Sequence, residues 1–280
     1  MYIFHRSKEL KDFLNTLRAE GKSIGFTPTM GALHQGHISL IKSSKSNNDI
    51  TVCSIFVNPT QFNNSEDLQK YPKTIDADIY KLTQAKCDVL FLPEVAEMYP
   101  NGLEETSYYD LGIVEQILEG EFRPGHFQGV AQVVDKFLNI IEPDQLYMGQ
   151  KDFQQCAVVA KLISLQEHQT VLNIIPTARE ADGLAMSSRN LRLTDKERQQ
   201  SNIIYQCLVS IQAQKEHKSY QTVKKECWDL LSHKGIKPEY ITLCNAETLA
   251  VLEEYNNEIP MVVLLAAYVG QIRLIDNLVI

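Results

Sequence analysis

Two imidazoles three residues apart, His34 and His37, lie in the segment Thr27-Pro28-Thr29-Met30-Gly31-Ala32-Leu33-His34-Gln35-Gly36-His37, just after a strand-like run at 23–26. A turn that leaves a strand and opens a helix offers free backbone N–H groups and the positive end of the helix dipole, both suited to a phosphate. Gly31 and Gly36 allow close approach of a ligand to the main chain. Both imidazoles can then donate hydrogen bonds to phosphate oxygens as negative charge builds up. Two other readings stand beside this one: histidines that only cap a helix, and a zinc pair. The zinc pair lacks a third ligand at a familiar spacing, and the chain contains no HExxH.

Three further segments carry groups of matching chemistry. In Asp182-Gly183-Leu184-Ala185-Met186-Ser187-Ser188-Arg189-Asn190, two hydroxyls and a guanidinium can contact several phosphate oxygens together, while Gly183 lets the loop bend. A polar turn between domains is the structural alternative there. Gly149-Gln150-Lys151-Asp152 closes a strand-like run at 145–148, with Lys151 as a point charge for phosphate. Lysine at a helix start opposes the dipole, which disfavours a purely structural role. Ile55-Phe56-Val57-Asn58-Pro59-Thr60-Gln61-Phe62 brings the amides of Asn58 and Gln61 to the end of another strand, and Gln154 and Gln155 follow Lys151. Uncharged amides can satisfy hydroxyls and a carboxylate without a competing charge. The chain has neither GxxxxGK[ST] nor GxGxxG, so a P-loop phosphotransferase and a standard dinucleotide oxidoreductase are both unsupported.

The elements that must position these groups alternate regularly. Strand-like runs at 23–26, 50–57, 89–92, 145–148 and 171–175 are separated by helical patterns, the clearest placing Val130, Val133, Val134, Phe137, Leu138 and Ile141 on one face. Such alternation implies an α/β fold: a Rossmann-like parallel sheet with helices on both faces, binding ligands beyond the carboxyl ends of its strands. After 176 the pattern changes to helical stretches at 195–213 and 220–232 and strands at 240–243, 261–268 and 271–275. The expected organisation is therefore a Rossmann-like domain at 1–176 and a smaller C-terminal α+β domain at 177–280 that carries the Ser-Ser-Arg loop.

Composition narrows the partners. A net charge of −8 lacks the basic surplus of a nucleic-acid-binding surface, so a polynucleotide partner is not expected. Local cations and main-chain N–H groups can still make a positive pocket for a small anion. Six cysteines without a CxxC pair read as buried thiols of a reducing compartment. Charges interrupt the N-terminal apolar residues, and the longest apolar stretch, Met261–Val269, is far below the ~18 residues of a membrane helix. A cytoplasmic chain with no membrane partner is the expectation.

A strand followed by HxGH resembles the signature of the nucleotidyltransferase superfamily, whose members bind ATP and transfer its nucleotidyl group. More specifically, TPTMGALHQGHISL, IFVNPTQF, RPGHFQGVAQVV, GQKDFQQ, READGLAMSSRNLRL and RLIDN resemble, in that order, the motif set of the pantothenate synthetase family. The resemblance covers nearly the whole chain. It implies that ATP and the carboxylate of pantoate give pantoyl adenylate and pyrophosphate, and that β-alanine then displaces AMP to give pantothenate.

By matching motif, the ATP contacts fall on Met30, Gly31, Ala32, Leu33, His34, Gln35, Gly36 and His37, with His37 as proton donor. They continue on Gly149, Gln150, Lys151 and Asp152, on Ala178 through its main chain, and on Met186, Ser187, Ser188 and Arg189. Gln61 and Gln155 correspond to the pantoate-binding glutamines, and Gln61 is also associated with β-alanine. The resemblance further implies Mg²⁺ as the partner of ATP and a homodimer. His34, His37, Lys151, Ser187, Ser188, Arg189 and Mg²⁺ would supply the positioning and charge neutralisation that in-line attack on the α-phosphorus requires.

The chain departs from the family pattern at Gln128, where arginine is commoner, and at Gln35 and Gln150, where acids are. In Thr74-Ile75-Asp76-Ala77-Asp78, a solvated helix start is expected rather than a carboxylate contact to Mg²⁺. Competing readings are an HxGH enzyme acting on another acid or on a phosphorylated alcohol, and a non-catalytic ATP-binding protein on the same fold.

Overall fold

The computed structural model describes residues 1–103 and 107–280, which form two compact units, Met1–Pro176 and Thr177–Ile280. In the first unit six strands, β1 (Tyr2–Phe4), β2 (Ile24–Thr29), β3 (Ile50–Ile55), β4 (Val89–Phe91), β5 (Gln145–Gly149) and β6 (Val171–Ile175), form one sheet in the order β1-β4-β3-β2-β5-β6. Every pairing in it is parallel. The helices are α1 (Ser7–Ala19), α2 (Gln35–Asn47), α3 (Ser65–Gln69), α4 (Ile75–Gln84), α5 (Val95–Met98), α6 (Glu119–Phe122), α7 (His126–Ile141) and α8 (Phe153–Leu165).

Alternation along the strands sends side chains to two faces. Val52, Val89 and Phe91 join a core with Leu10 and Leu14 of α1, Val130, Val134 and Phe137 of α7, and Val158 and Leu162 of α8. Their neighbours Cys53, Ile55 and Leu90 face the other way, against Ile41 of α2 and Leu82 of α4. Helices thus cover both faces, which is why β4 is apolar throughout and the two polar residues of β3, Thr51 and Ser54, are buried as well.

Strand order reverses between β2 and β5, and there the sheet opens. β2 pairs with β3 as far as Thr29–Ile55, but with β5 only at Gly25–Gln145 and Phe26–Leu146. Pro28, which has no N–H to donate, sits beyond that last pairing and so leaves no ladder bond unmade. The carboxyl ends of β2 and β5 therefore splay at the switch point, where α/β sheets bind ligands.

Thr177–Ile280 contains α9 (Asp195–Ser201), α10 (Ile203–Gln214), α11 (Tyr220–His233) and a four-stranded antiparallel sheet. Its strands β7 (Ile236–Asn245), β8 (Val251–Leu252), β9 (Met261–Val269) and β10 (Ile272–Val279) run in the order β10-β9-β7-β8. The fold class is as the sequence implies, with local differences. The charged N-terminus hides β1, and the single helical pattern at 195–213 divides at Asn202 into α9 and α10. β7 begins four residues earlier than its apolar signal, because Lys237 and Glu239 interrupt the run and a bulge accommodates Pro238. All six cysteines are buried and unpaired.

Candidate active site

Where β2 ends, Gly31 and Ala32 take φ values of 82° and 49°, and the chain turns sharply into α2. Asp78 of α4 holds this turn: its carboxylate accepts from the N–H groups of Ala32 at 2.9 Å and Leu33 at 2.7 Å, and from Thr74 Oγ1 at 3.1 Å. Lys81, one turn further along α4, donates to the Leu33 carbonyl at 2.6 Å. Two expectations are corrected here. Asp78 is wholly buried and not solvated, and two of the N–H groups expected to face an anion are already taken. The physical reason is that Asp78 lies three residues after Ile75 and four before Leu82, on the inward stripe of α4, while Asp76 is exposed. Charge-assisted bonds to the main chain satisfy the buried carboxylate and fix a backbone that Ala32 would otherwise resist.

His34 is the N-cap of α2, and its Nδ1 accepts from the Gly36 N–H at 3.1 Å. His37 Nδ1 accepts from the His34 N–H at 3.3 Å, and the two ring centroids lie 4.1 Å apart. Both Nδ1 atoms are acceptors, so each neutral ring carries its proton on Nε2. Burial, then the Lys151 charge, lowers the His34 pKa to about 4. Burial, then His34, Lys151 and Lys81, holds His37 well below its ordinary value. Neither Nε2 has a hydrogen-bond partner among the described residues. The capping reading and the phosphate reading therefore occupy different nitrogens of the same rings: Nδ1 builds the turn and Nε2–H remains a donor.

Gln61 reaches this turn from the short helical turn Pro59–Gln61 that follows β3. Its Nε2 donates to Met30 Sδ at 3.0 Å, and its main-chain carbonyl accepts from His126 Nδ1 at 2.8 Å. Close packing against α7 requires Gly129, since a Cβ there would lie 2.4 Å from the Thr60 carbonyl oxygen and 2.7 Å from the Gln61 nitrogen. Asn58 is a framework residue: it donates to the Gly129 carbonyl at 3.0 Å and accepts from Tyr99 Oη at 2.8 Å. Lys151 lies 3.4 Å from Asp152 in the 3₁₀ turn Gln150–Asp152, and its charge reaches both imidazoles.

The two glutamines of α8 separate cleanly. Gln154 is buried and spends its amide on the main chain of Val114, Ile117 and Glu119, which corrects its reading as a substrate amide. Gln155 is half-buried and makes no side-chain hydrogen bond among the described residues. Gln128, at a departure from the family pattern, clamps both main-chain atoms of Tyr109. Met1–Pro176 thus gathers Met30, His34, His37, Gln61 and Lys151, with Gln155 one helical turn beyond Lys151. Lys81 was missed by sequence reasoning, and Asp78 was set aside as solvated, although the apolar period of α4 marks it as inward.

Within Thr177–Ile280, Met186 N–H donates to the Ala178 carbonyl at 2.9 Å, and Arg179 pairs with Ala185 in an antiparallel bridge. This brings Ala178 beside the start of the loop. Ser187 Oγ accepts from the Arg189 N–H at 3.3 Å and caps the 3₁₀ helix Ser188–Arg192, while Ser188 is buried. Among the described residues no group of three or more His, Cys, Asp or Glu side chains suits a metal ion, and no helix is long and apolar enough to cross a membrane.

Comparison with known proteins adds to this geometry. The family model described as pantoate-beta-alanine ligase matches residues 2–279. The chain is 43% identical to the pantothenate synthetase of Aliivibrio salmonicida over all of this chain and 94% of that protein. It is 45% identical to that of Cytophaga hutchinsonii over 98% and 97% of the two chains. Among solved structures, pantothenate synthetase from Thermus thermophilus superimposes with a TM-score of 0.91 at 34% identity, covering 99% of each chain. Pantoate-beta-alanine ligase from Francisella tularensis, complexed with beta-gamma ATP and beta-alanine, gives a TM-score of 0.84 at 39% identity, covering 100% of this chain and 97% of that one.

Proposed function

This chain belongs to the pantoate-beta-alanine ligase family, and from that premise we propose that it condenses (R)-pantoate with β-alanine, using ATP and releasing AMP and pyrophosphate. The observation that carries the reading is the pair of neutral imidazoles, each fixed by its Nδ1 and left with an Nε2–H donor beside Lys151. Donors fixed in advance need no reorganisation as charge moves onto the phosphates.

In the first step a pantoate carboxylate oxygen attacks the α-phosphorus in line, the bond to the bridging oxygen breaks, and pyrophosphate leaves with the electron pair. His34 and His37 donate to phosphate oxygens through Nε2–H, and Lys151 offsets the charge. His37 acts as a donor in its neutral form, since its surroundings disfavour an imidazolium. Gln61 and Gln155 bind pantoate; the half-buried amide of Gln155, without a protein partner among the described residues, is suited to a hydroxyl or carboxylate. In the second step the neutral amine of β-alanine attacks the acyl carbon, the acyl–oxygen bond to AMP breaks, and the amine loses a proton.

The contacts to ATP assigned to Ala178, Met186, Ser187, Ser188 and Arg189 use the donors of the second unit. Magnesium would enter with ATP, held mainly by substrate phosphates and water, and would offset charge on the phosphates beside Lys151. A homodimer is supported by the edge strand β6, where Val171 and Ile174 are 60% and 49% exposed. Six unpaired thiols support a cytoplasmic location.

The test is ATP–pyrophosphate exchange by the purified protein. Exchange is expected with pantoate alone, and AMP with pantothenate only after β-alanine is added. Exchange that ignores pantoate would refute the reading.

A further inference from the structure

Two of the motifs that carry the family resemblance, READG and RLIDN, hold residues that touch no substrate in the reading above. The structure joins them. Arg179 of the first forms a two-pronged pair with Asp276 of the second, 97 residues later: Nη1 to Oδ2 at 2.6 Å and Nη2 to Oδ1 at 3.0 Å. The same guanidinium donates to the Gly183 carbonyl at 3.1 Å and to the Asn277 carbonyl at 3.1 Å. Its central carbon sits 4.0 Å from the centre of the Tyr205 ring. One planar group thus binds strand β10, helix α10 and the tip of a hairpin.

That hairpin is the base of the Ser-Arg loop. Residues 178–186 fold back on themselves, with Glu180 N–H donating to the Leu184 carbonyl at 2.8 Å and Met186 N–H to the Ala178 carbonyl at 2.9 Å. Gly183, at φ 93°, lies so close to Tyr205 that a Cβ would stand 2.2 Å from its ring. Leu184 and Ala185 are buried, and the next residues are Met186, Ser187, Ser188 and Arg189. Asp276 is 2% exposed and cannot exchange its partner for water without leaving the core. A carboxylate and a guanidinium in matching planes fix direction as well as distance, which an ammonium cannot do.

Resting on the ligase reading, we infer that Arg179 and Asp276 are positioning residues that set the place and angle of the loop carrying Ser187, Ser188 and Arg189 toward MgATP. Neither touches substrate; both act through the hairpin. The ordering of the loop is built into the folded chain, so loosening its base lowers affinity for the nucleotide before it affects the acid.

Asp276→Asn and Arg179→Lys test this, with Glu239→Gln as the control. Glu239 pairs with Arg273 through a guanidinium–carboxylate contact on the same sheet, and among the described residues it has no hydrogen bond to the hairpin. In pantoate-dependent ATP–pyrophosphate exchange, each of the first two variants is expected to raise the KM for ATP by roughly tenfold or more, as expected when a misplaced group weakens positioning. The KM for pantoate stays within about twofold. The control lowers the thermal midpoint without moving the KM for ATP. If Asp276→Asn fails to fold, Arg179→Lys, which keeps the charge and loses the fork, decides alone.

Folded variants whose thermal midpoint falls while the KM for ATP stays at the wild-type value would overturn the inference and leave a purely structural ion pair. Calorimetric titration with MgATP separates this from the ligase reading. Wild-type protein that binds MgATP but shows no pantoate-dependent exchange would sink that reading alone, and the calorimetric affinities of the variants would still decide the role of the pair.

Discussion

Two of the segments assigned to ATP are stiffened in different places. The 34–37 turn is held along its length: Asp78 takes the N–H groups of Ala32 and Leu33, His34 takes that of Gly36, and His37 takes that of His34. The Ser-Arg loop is anchored at its base by Arg179 and Asp276, Asn190 donates back to the Ala185 carbonyl at 3.1 Å, and Ser187 caps the 3₁₀ turn that follows. The first arrangement presents two donors in fixed positions. The second sets the place from which the short 3₁₀ turn Ser188–Arg192 presents its hydroxyl and guanidinium. Fixed donors suit charge that appears only in the transition state.

Breaking the fixed side of this comparison has the largest expected effect. His37→Ala and Lys151→Ala should each lower pantoate-dependent exchange by more than about 10²-fold, the scale of one lost transition-state donor. Near wild-type rates in both would show that the turn does not act on the phosphates. Asp78→Asn comes next. Its amide cannot accept two main-chain N–H bonds as a carboxylate does, so the turn loses its anchor; about 1–3 kcal/mol of stability and roughly tenfold in rate should go together. Thermal melts alongside exchange rates check this, and full activity in Asp78→Asn would remove the carboxylate from the account.

The smallest effect is in pH dependence. The His34 pKa falls from 6.5 to about 4 on folding, so between those values the unfolded chain binds a proton that the folded chain refuses. Stability from this group therefore rises with pH through that window and is fully present above 6.5. His34→Gln should flatten the rise of the thermal midpoint between pH 4 and 6.5. An unchanged slope would mean that His34 titrates normally.

What was legible depended on the range of the interaction. Strands β2 to β6 and helix α7 announce themselves through local apolar runs, and the HxGH turn through its place after a strand, whereas β1 and β8 leave no such signal. Gln155 could be told from Gln154 only once α8 showed which one faces the main chain at 114–119. Asp78 was readable in principle from its spacing to Ile75 and Leu82, but polar neighbours at 74 and 76 suggested solvent. The pairing of Arg179 with Asp276 crosses 97 residues, and no local pattern reports a contact of that kind. Nor does composition reveal that the imidazoles are neutral, because burial and Lys151 act on them only in the folded chain.

The central claim is that the acid is activated at the α-phosphorus beside the paired imidazoles. Pantoate labelled with ¹⁸O in its carboxylate tests it most directly, with AMP, pyrophosphate and pantothenate analysed by mass spectrometry after a full turnover. One labelled oxygen should appear in AMP and none in pyrophosphate or free phosphate. Label in inorganic phosphate, with AMP unlabelled, would place the attack at another phosphorus and contradict the account.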